Sequence, residues 1–197
     1  MKQIILKTGF IIAIFFAAVT STSCGDNMNE KDSKDLAEDN NDAKFTSAME
    51  EDAEYLVSAA EIDMEGIELG QLAQKNSTTP SVIQLGKMME DDHTKSLKDL
   101  KTLATKKQIT LPTTLTSDNK NAYDKIKNKF GYDFDKEYSN MLVEEHKDAI
   151  NKFEKVSTNA KDPEIQSWAA TFLILLRAHL DHSIACQQQC EKMKSKS

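Results

Sequence analysis

The chain has 197 residues and a formal net charge of −7 at pH 7. This length is sufficient for one domain with its own apolar core. The negative charge disfavours nucleic acid and anionic lipid head groups as partners, because both carry charge of the same sign.

Residues 1–23 have the pattern of a signal peptide. Lys2 and Lys7 precede an apolar run at residues 8–19. This run is long enough for a signal-peptide core and too short for a membrane span. Cys24 follows directly, at the position where bacterial lipoproteins are acylated, although Ser21 replaces the usual aliphatic residue. We therefore expect an exported cell-envelope protein, anchored to a membrane by a lipid on Cys24 and facing the periplasm or the cell surface. An ordinary cleaved signal peptide is the alternative.

Residues 24–44 are predicted to form a disordered acidic tether behind the lipidated cysteine. From Gly25 onwards this segment consists almost entirely of Asp, Asn, Lys and Glu, so it has too little apolar surface to order itself. The globular domain is then expected to occupy residues 45–197.

Four long stretches of helix-forming residues follow, each with apolar side chains at three- and four-residue spacing. They cover residues 52–75, 79–107, 134–157 and 163–192, and a shorter amphipathic stretch covers residues 117–130. Thr79 and Asp162 each precede a proline, which is typical of a helix start. The fold class predicted is all-α: a ferritin-like antiparallel four-helix bundle with a short extra helix in the connection between the second and third long helices.

Four segments resemble a known family: residues 59–73, 88–112, 134–154 and 175–183. The family is the domain of unknown function 4142 family, an uncharacterised bacterial envelope family grouped with the ferritin-like bundles, and the resemblance covers residues 52–183. It implies an exported, often membrane-attached four-helix protein and no established activity. The family pattern usually has an acidic residue where this chain has Gly66.

Three of the four histidines fall on helix faces that should point inward. His93 lies between Met89 and Leu97 at four-residue spacing, and His146 and His179 occupy equivalent apolar faces near the middle of their helices. Imidazole and carboxylate side chains at mid-bundle can hold zinc, iron or copper. The candidate metal ligands are His93, His146, His179, Glu65, Glu68 and Glu90. The alternative is a hydrogen-bonded polar layer without metal.

Only Glu90 precedes a histidine by three residues, so the paired Glu-x-x-His motifs of a di-iron protein are absent from the sequence. A second candidate metal or redox cluster consists of His182, Cys186 and Cys190, which share one face of the last helix. A disulfide and two simply packed thiols are the alternatives.

The sequence has no phosphate-binding glycine loop, no nucleophile-elbow serine and no basic stripe. We therefore favour a non-catalytic binding or structural bundle, whose protein or small-ligand partner the sequence does not name. The alternative is a metal-binding or metal-dependent redox protein with a His/carboxylate site inside the bundle.

Overall fold

The computed structural model describes residues 31–194, and within that range all regular structure is helical, with no strand. The predicted signal peptide, Cys24 and the first part of the predicted tether lie outside the described residues. The helices are α1 (Ser33–Asp42), α2 (Ser47–Asn76), α3 (Pro80–Lys107), α4 (Ser117–Ile126), α5 (Gly131–Asn159) and α6 (Pro163–Lys194).

The long helices make their most extensive contacts within two hairpins, α2 with α3 and α5 with α6. Each hairpin has a three-residue link, at residues 77–79 and 160–162. Gly70 and Gly86 let α2 and α3 approach closely, since a Cβ added at Gly70 would lie 2.5 Å from the Gly86 carbonyl oxygen.

The hairpins join through contacts of α2 with α5 and of α3 with α6. Lys107, at the end of α3, forms ion pairs with Asp162 and Glu164 at the start of α6. At the same end, the Asp52 carboxylate accepts hydrogen bonds from the backbone of Lys161 and Asp162 at 2.7–2.9 Å. Each contacting pair therefore runs antiparallel, and α3 and α5 run in the same direction.

The chain between α3 and α5 returns along the side of α2. Asn119 of α4 donates to Glu65 at the middle of α2 over 2.8 Å. Further along, Asn76 at the end of α2 donates to the carbonyl oxygens of Lys127 and Lys129, each over 2.9 Å. These hydrogen bonds hold the connection against α2.

Helix α1 corrects the prediction of a disordered tether through residue 44. Asp32 caps it by accepting hydrogen bonds from the backbone of Lys34 and Asp35. Near its other end, Asn41 is buried and exchanges two hydrogen bonds with the backbone of Thr110, at 2.7 and 2.9 Å. Composition alone misses such a helix, because few apolar contacts are needed when side-chain hydrogen bonds fix both ends.

The two predicted helix starts, at Thr79 and Asp162, differ in whether the side chain caps the helix. Asp162 caps α6 as expected, accepting from the backbone of Glu164 over 2.8 Å. Thr79 occupies the N-cap position of α3 but makes no capping hydrogen bond. Its hydroxyl donates instead to the buried carboxylate of Asp135 on α5, over 2.5 Å, so it links two helices.

The core consists of two apolar clusters on either side of a polar layer. One cluster lies toward the α5–α6 link and includes Leu56, Leu100 and Phe153. The other lies toward the α2–α3 link and includes Leu69 and Tyr138. No helix among residues 31–194 combines the length and the apolar character needed to cross a membrane.

Candidate metal centre

Three histidines form the centre of the polar layer. His93 comes from α3, His146 from α5 and His179 from α6, and all three side chains are almost fully buried. Each histidine lies in its helix between residues of the two apolar clusters, as His93 does between Met89 and Leu97. The predicted inward orientation of these histidines is confirmed.

The three rings are in mutual contact. The ring centroids of His93 and His179 are 4.9 Å apart, those of His146 and His179 are 5.4 Å apart, and those of His93 and His146 are 6.0 Å apart. One nitrogen from each ring lies within 4.8 Å of the other two. The histidines therefore surround one common point.

Each ring has one nitrogen engaged by an oxygen outside the cluster. His146 Nδ1 lies 2.8 Å from the carbonyl oxygen of Leu142, which can only accept, so this nitrogen carries the proton. His93 Nδ1 lies 2.9 Å from Asp63 Oδ1, and His179 Nε2 lies 3.1 Å from Asp92 Oδ2. A hydrogen bond of this kind orients an imidazole and leaves the lone pair on its other nitrogen, as is usual for metal-bound histidines.

The second nitrogen of each ring is buried without a hydrogen-bond partner among the described residues. These atoms are His93 Nε2, His146 Nε2 and His179 Nδ1. Buried polar side-chain atoms are rarely left unsatisfied, because the cost of desolvation is about 1–3 kcal/mol for each group. The cluster therefore contains three buried ring nitrogens without a partner among the described residues, and a metal ion bound by the three imidazoles would account for them.

The protonation state of the three histidines also favours metal binding. Burial lowers the pKa of His93 to about 4 and that of His179 to about 4. Burial and the two neighbouring imidazoles lower the pKa of His146 to about 3. The rings are therefore neutral at pH 7, which is the form that binds a metal. Burial also raises the pKa of Asp63 well above its ordinary value.

Gly66 makes room for the His93 ring. A Cβ at this position would lie 2.3 Å from Cδ2 of His93 and 2.8 Å from its Nε2. Position 66 therefore faces the cluster directly, and its lack of a side chain leaves the space that the His93 ring occupies.

A cavity of about 250 Å³ reaches the cluster between α2 and α5. His93 and His146 form part of its wall, together with the carboxyl groups of Glu65 and Glu145. Burial and repulsion by Glu61 raise the pKa of Glu65 to about 7, and burial and repulsion by Glu65 raise that of Glu145 to about 8. The cavity thus presents two weakly acidic groups beside two of the histidines.

The carboxylates predicted as ligands do not join the histidines. Glu65 lies in the cavity wall, where it accepts a hydrogen bond from Asn119. The residues close enough to share one ion are the three histidines, and Glu65 is not among them. Glu68 is exposed. Glu90 accepts hydrogen bonds from the amides of Gln71 and Gln74 at 3.0 and 2.6 Å, because its side chain extends along α2.

The two carboxylates that contact the cluster are Asp63 and Asp92. The sequence places Asp63 on α2 at the level of the histidines and Asp92 among their neighbours, but neither was predicted to be a metal ligand. Asp63 shares the small-residue face of α2 with Ala59 and Gly70, and an acidic residue on that face was the available signal. Asp92 is half-exposed and immediately precedes His93, so its contact with His179 depends on the packing of α3 against α6.

The second predicted cluster is only partly assembled. Cys186 and Cys190 are buried free thiols, so the predicted alternative of a disulfide between them is absent. His182 is exposed, and these three residues do not form a group of the kind made by the buried histidines. Burial, followed by the effect of Cys190, raises the pKa of the Cys186 thiol to about 12.

The donor set fits a transition metal. Three neutral imidazoles with one open position are a known catalytic and binding arrangement for zinc, and imidazole also suits copper and iron. A tetrahedral ion with bonds of about 2.0–2.1 Å separates its ligand nitrogens by about 3.3 Å. The nitrogens here, within 4.8 Å of one another, need only small ring movements to reach that spacing.

The fold and the site define an all-helical protein with a buried three-histidine cluster between two apolar cores. The family model described as "Domain of unknown function (DUF4142)" matches residues 37–185, and the chain belongs to this family. Comparisons with curated proteins and with solved structures find no match.

Proposed function

We propose that this protein binds one transition-metal ion, zinc, iron or copper, through His93, His146 and His179. The observation that carries the proposal is the mutual proximity of three buried imidazoles, each with one ring nitrogen that has no partner among the described residues. The contacts with Asp63, Asp92 and the Leu142 carbonyl oxygen support it, because each oxygen can accept a hydrogen bond from one nitrogen of its histidine and leave the other nitrogen available to the ion. A cation at the cluster favours the ionised form of Asp63, and the charges of Asp63 and Asp92 then offset that of the ion.

The cavity beside His93 and His146 supports an open coordination position. A ligand of a few atoms fits within about 250 Å³ and reaches the side of the cluster where Glu65 and Glu145 lie. The carboxyl groups are placed to exchange hydrogen bonds with such a ligand. The proposal is a binding function, with no reaction assigned to the site.

Metal analysis of protein purified without a histidine tag tests the proposal. After exposure to excess zinc and removal of loosely bound ion, the wild type should retain one equivalent. His93→Ala and His179→Gln should lose it, because two imidazoles hold an ion much less tightly than three. Glu68→Ala and Glu90→Gln are the controls, since neither side chain contacts the cluster, and both should retain the ion.

A wild-type protein without stoichiometric metal, or histidine variants that keep it, would contradict the site. Circular dichroism of each variant establishes that the helices remain folded. Cobalt(II) provides an independent measurement, since its d–d absorption is much stronger at a four-coordinate protein site than in the six-coordinate aqueous ion.

We further propose that the four long helices form a ferritin-like four-helix bundle. The support is the antiparallel contact of α2 with α3 and α5 and of α6 with the same two helices. The parallel course of α3 and α5, linked by a connection along α2, is the topology of bundles with one long crossover.

Export and lipid anchoring are proposed from the sequence of residues 1–24. Labelling with a radioactive fatty acid should mark the wild type, and Cys24→Ala should abolish the label because it removes the acylated atom. Cys186→Ala and Cys190→Ala are matched controls that should keep the label. A label that survives Cys24→Ala would contradict lipidation at this residue.

A further inference from the structure

A second set of metal-binding side chains lies outside the histidine cluster, where α3 packs against α6. A surface pocket there is lined by Met88, His182 and Cys186, with Ser81 and Leu85. Met88 is on α3, and the other two donors are one turn apart on α6. A thioether, an imidazole and a thiol therefore face one space.

The surroundings of this pocket are rich in sulfur. Met89, Met141, Met193 and Cys190 pack in the same apolar cluster as Met88 and Cys186. Thioether and thiolate sulfur are soft ligands that select Cu(I), whereas carboxylates and water suit harder ions. The composition of this end of the molecule thus differs from that of the histidine cluster, which contains no sulfur ligand.

We propose that Cys186, His182 and Met88 form a binding site for a single Cu(I) ion. Binding replaces the S–H bond of Cys186 by an S–Cu bond and releases one proton to solvent, with no change in the oxidation state of copper. The thiolate neutralises the charge of the ion, while the imidazole and the thioether add none. A neutral complex avoids the cost of placing an unpaired charge beside the apolar cluster.

Cys186 and Cys190 are both free thiols in this structure. Burial raises the pKa of Cys186, and burial followed by the negative charge of Asp135 raises that of Cys190. The same carboxylate attracts a cation. A disulfide is disfavoured, because residues four apart on a helix have Cβ atoms about 5–6 Å apart, against the ~3.8 Å that a disulfide requires.

Anaerobic titration with Cu(I), in competition with a chromophoric Cu(I) chelator, tests the site. The wild type should withdraw one more equivalent than Cys186→Ser and should show an ultraviolet thiolate-to-copper absorption. Cys190→Ser is the matched control, since Cys190 is buried next to Cys186 and does not line the pocket. It should keep both the equivalent and the absorption. His182→Ala and Met88→Leu should release copper at lower chelator concentrations.

Equal copper binding by Cys186→Ser and the wild type would overturn the proposal. Loss of copper from Cys190→Ser to the same extent as from Cys186→Ser would also overturn it, because the donors would then be the two thiols. The histidine cluster remains intact in all four variants, so their zinc content reports separately on the first site. Thermal unfolding without metal establishes that each variant is folded.

Discussion

Gly66 sets the space available to the His93 ring. Gly66→Ala would place a Cβ 2.3 Å from His93 Cδ2, and the ring is already in contact with His179. We expect the free energy of unfolding to fall by about 1–3 kcal/mol through overpacking, less up to about 1 kcal/mol gained in helix propensity. Bound zinc should be lost as the His93 ring moves. Urea unfolding with a chelator present, followed by metal analysis, measures both effects.

Glu68→Ala is the control for this substitution, because Glu68 is exposed on the same helix. It should keep both the stability and the zinc content of the wild type. A Gly66→Ala protein with unchanged stability and a full complement of zinc would contradict the geometry described for His93.

The inward direction of individual histidines could be predicted from sequence, whereas their contacts could not. The positions of Met89 and Leu97 determine which face of α3 carries His93. The partner of a side chain depends on how two helices are rotated against each other, which the spacing within one helix does not determine. Glu90 illustrates this limit, since its three-residue spacing from His93 leaves it bonded to Gln71 and Gln74.

At the level of helices, the four long elements were predicted because each has a sustained apolar face. Helix α1 was missed because its stability depends on Asp32 and Asn41, two polar residues in a polar segment. The contribution of Asn41 comes from a hydrogen-bonding partner 69 positions away, which no local pattern contains.

The course of α5 relative to α3 can be measured with spin labels. Lys87 on α3 and Glu137 and Lys155 on α5 are exposed. Because the two helices run in the same direction, the distance from Lys87 to Glu137 should be shorter than that from Lys87 to Lys155. The two positions on α5 are about 27 Å apart along the helix axis. Double electron–electron resonance would contradict the topology if the longer distance were that to Glu137.

Across the whole molecule, buried titratable groups make the stability of the metal-free protein depend on pH. Glu65 and Glu145 have pKa values of about 7 and about 8 in the folded state, above the ordinary 4.5, chiefly because of burial. Between the ordinary pKa of 4.5 and these folded-state values, the folded chain therefore holds more protons than the unfolded chain. The free energy of unfolding should fall as the pH rises through about 7 to 8.

Chemical unfolding in the presence of a chelator, between about pH 6.5 and pH 8.5, measures this effect. Glu65→Gln combined with Glu145→Gln should flatten the decline. Glu68→Gln combined with Glu144→Gln is the matched control at exposed positions and should leave the decline unchanged. An equal slope in both double variants would contradict the assignment.

At lower pH the histidines have the opposite effect, so that the free energy of unfolding rises with pH. Their pKa values of about 4, about 3 and about 4 lie below the ordinary 6.5, so the unfolded chain binds more protons. Their contribution to stability is complete above pH 6.5 and is lost as the pH falls toward those values.

The histidine cluster draws on both helical hairpins, since His93 belongs to the first and His146 and His179 to the second. Neither hairpin by itself can supply three imidazoles, however well it is formed. An ion held by all three imidazoles would consequently require the two hairpins to be docked, and a chain in which they are apart could not hold it in this way.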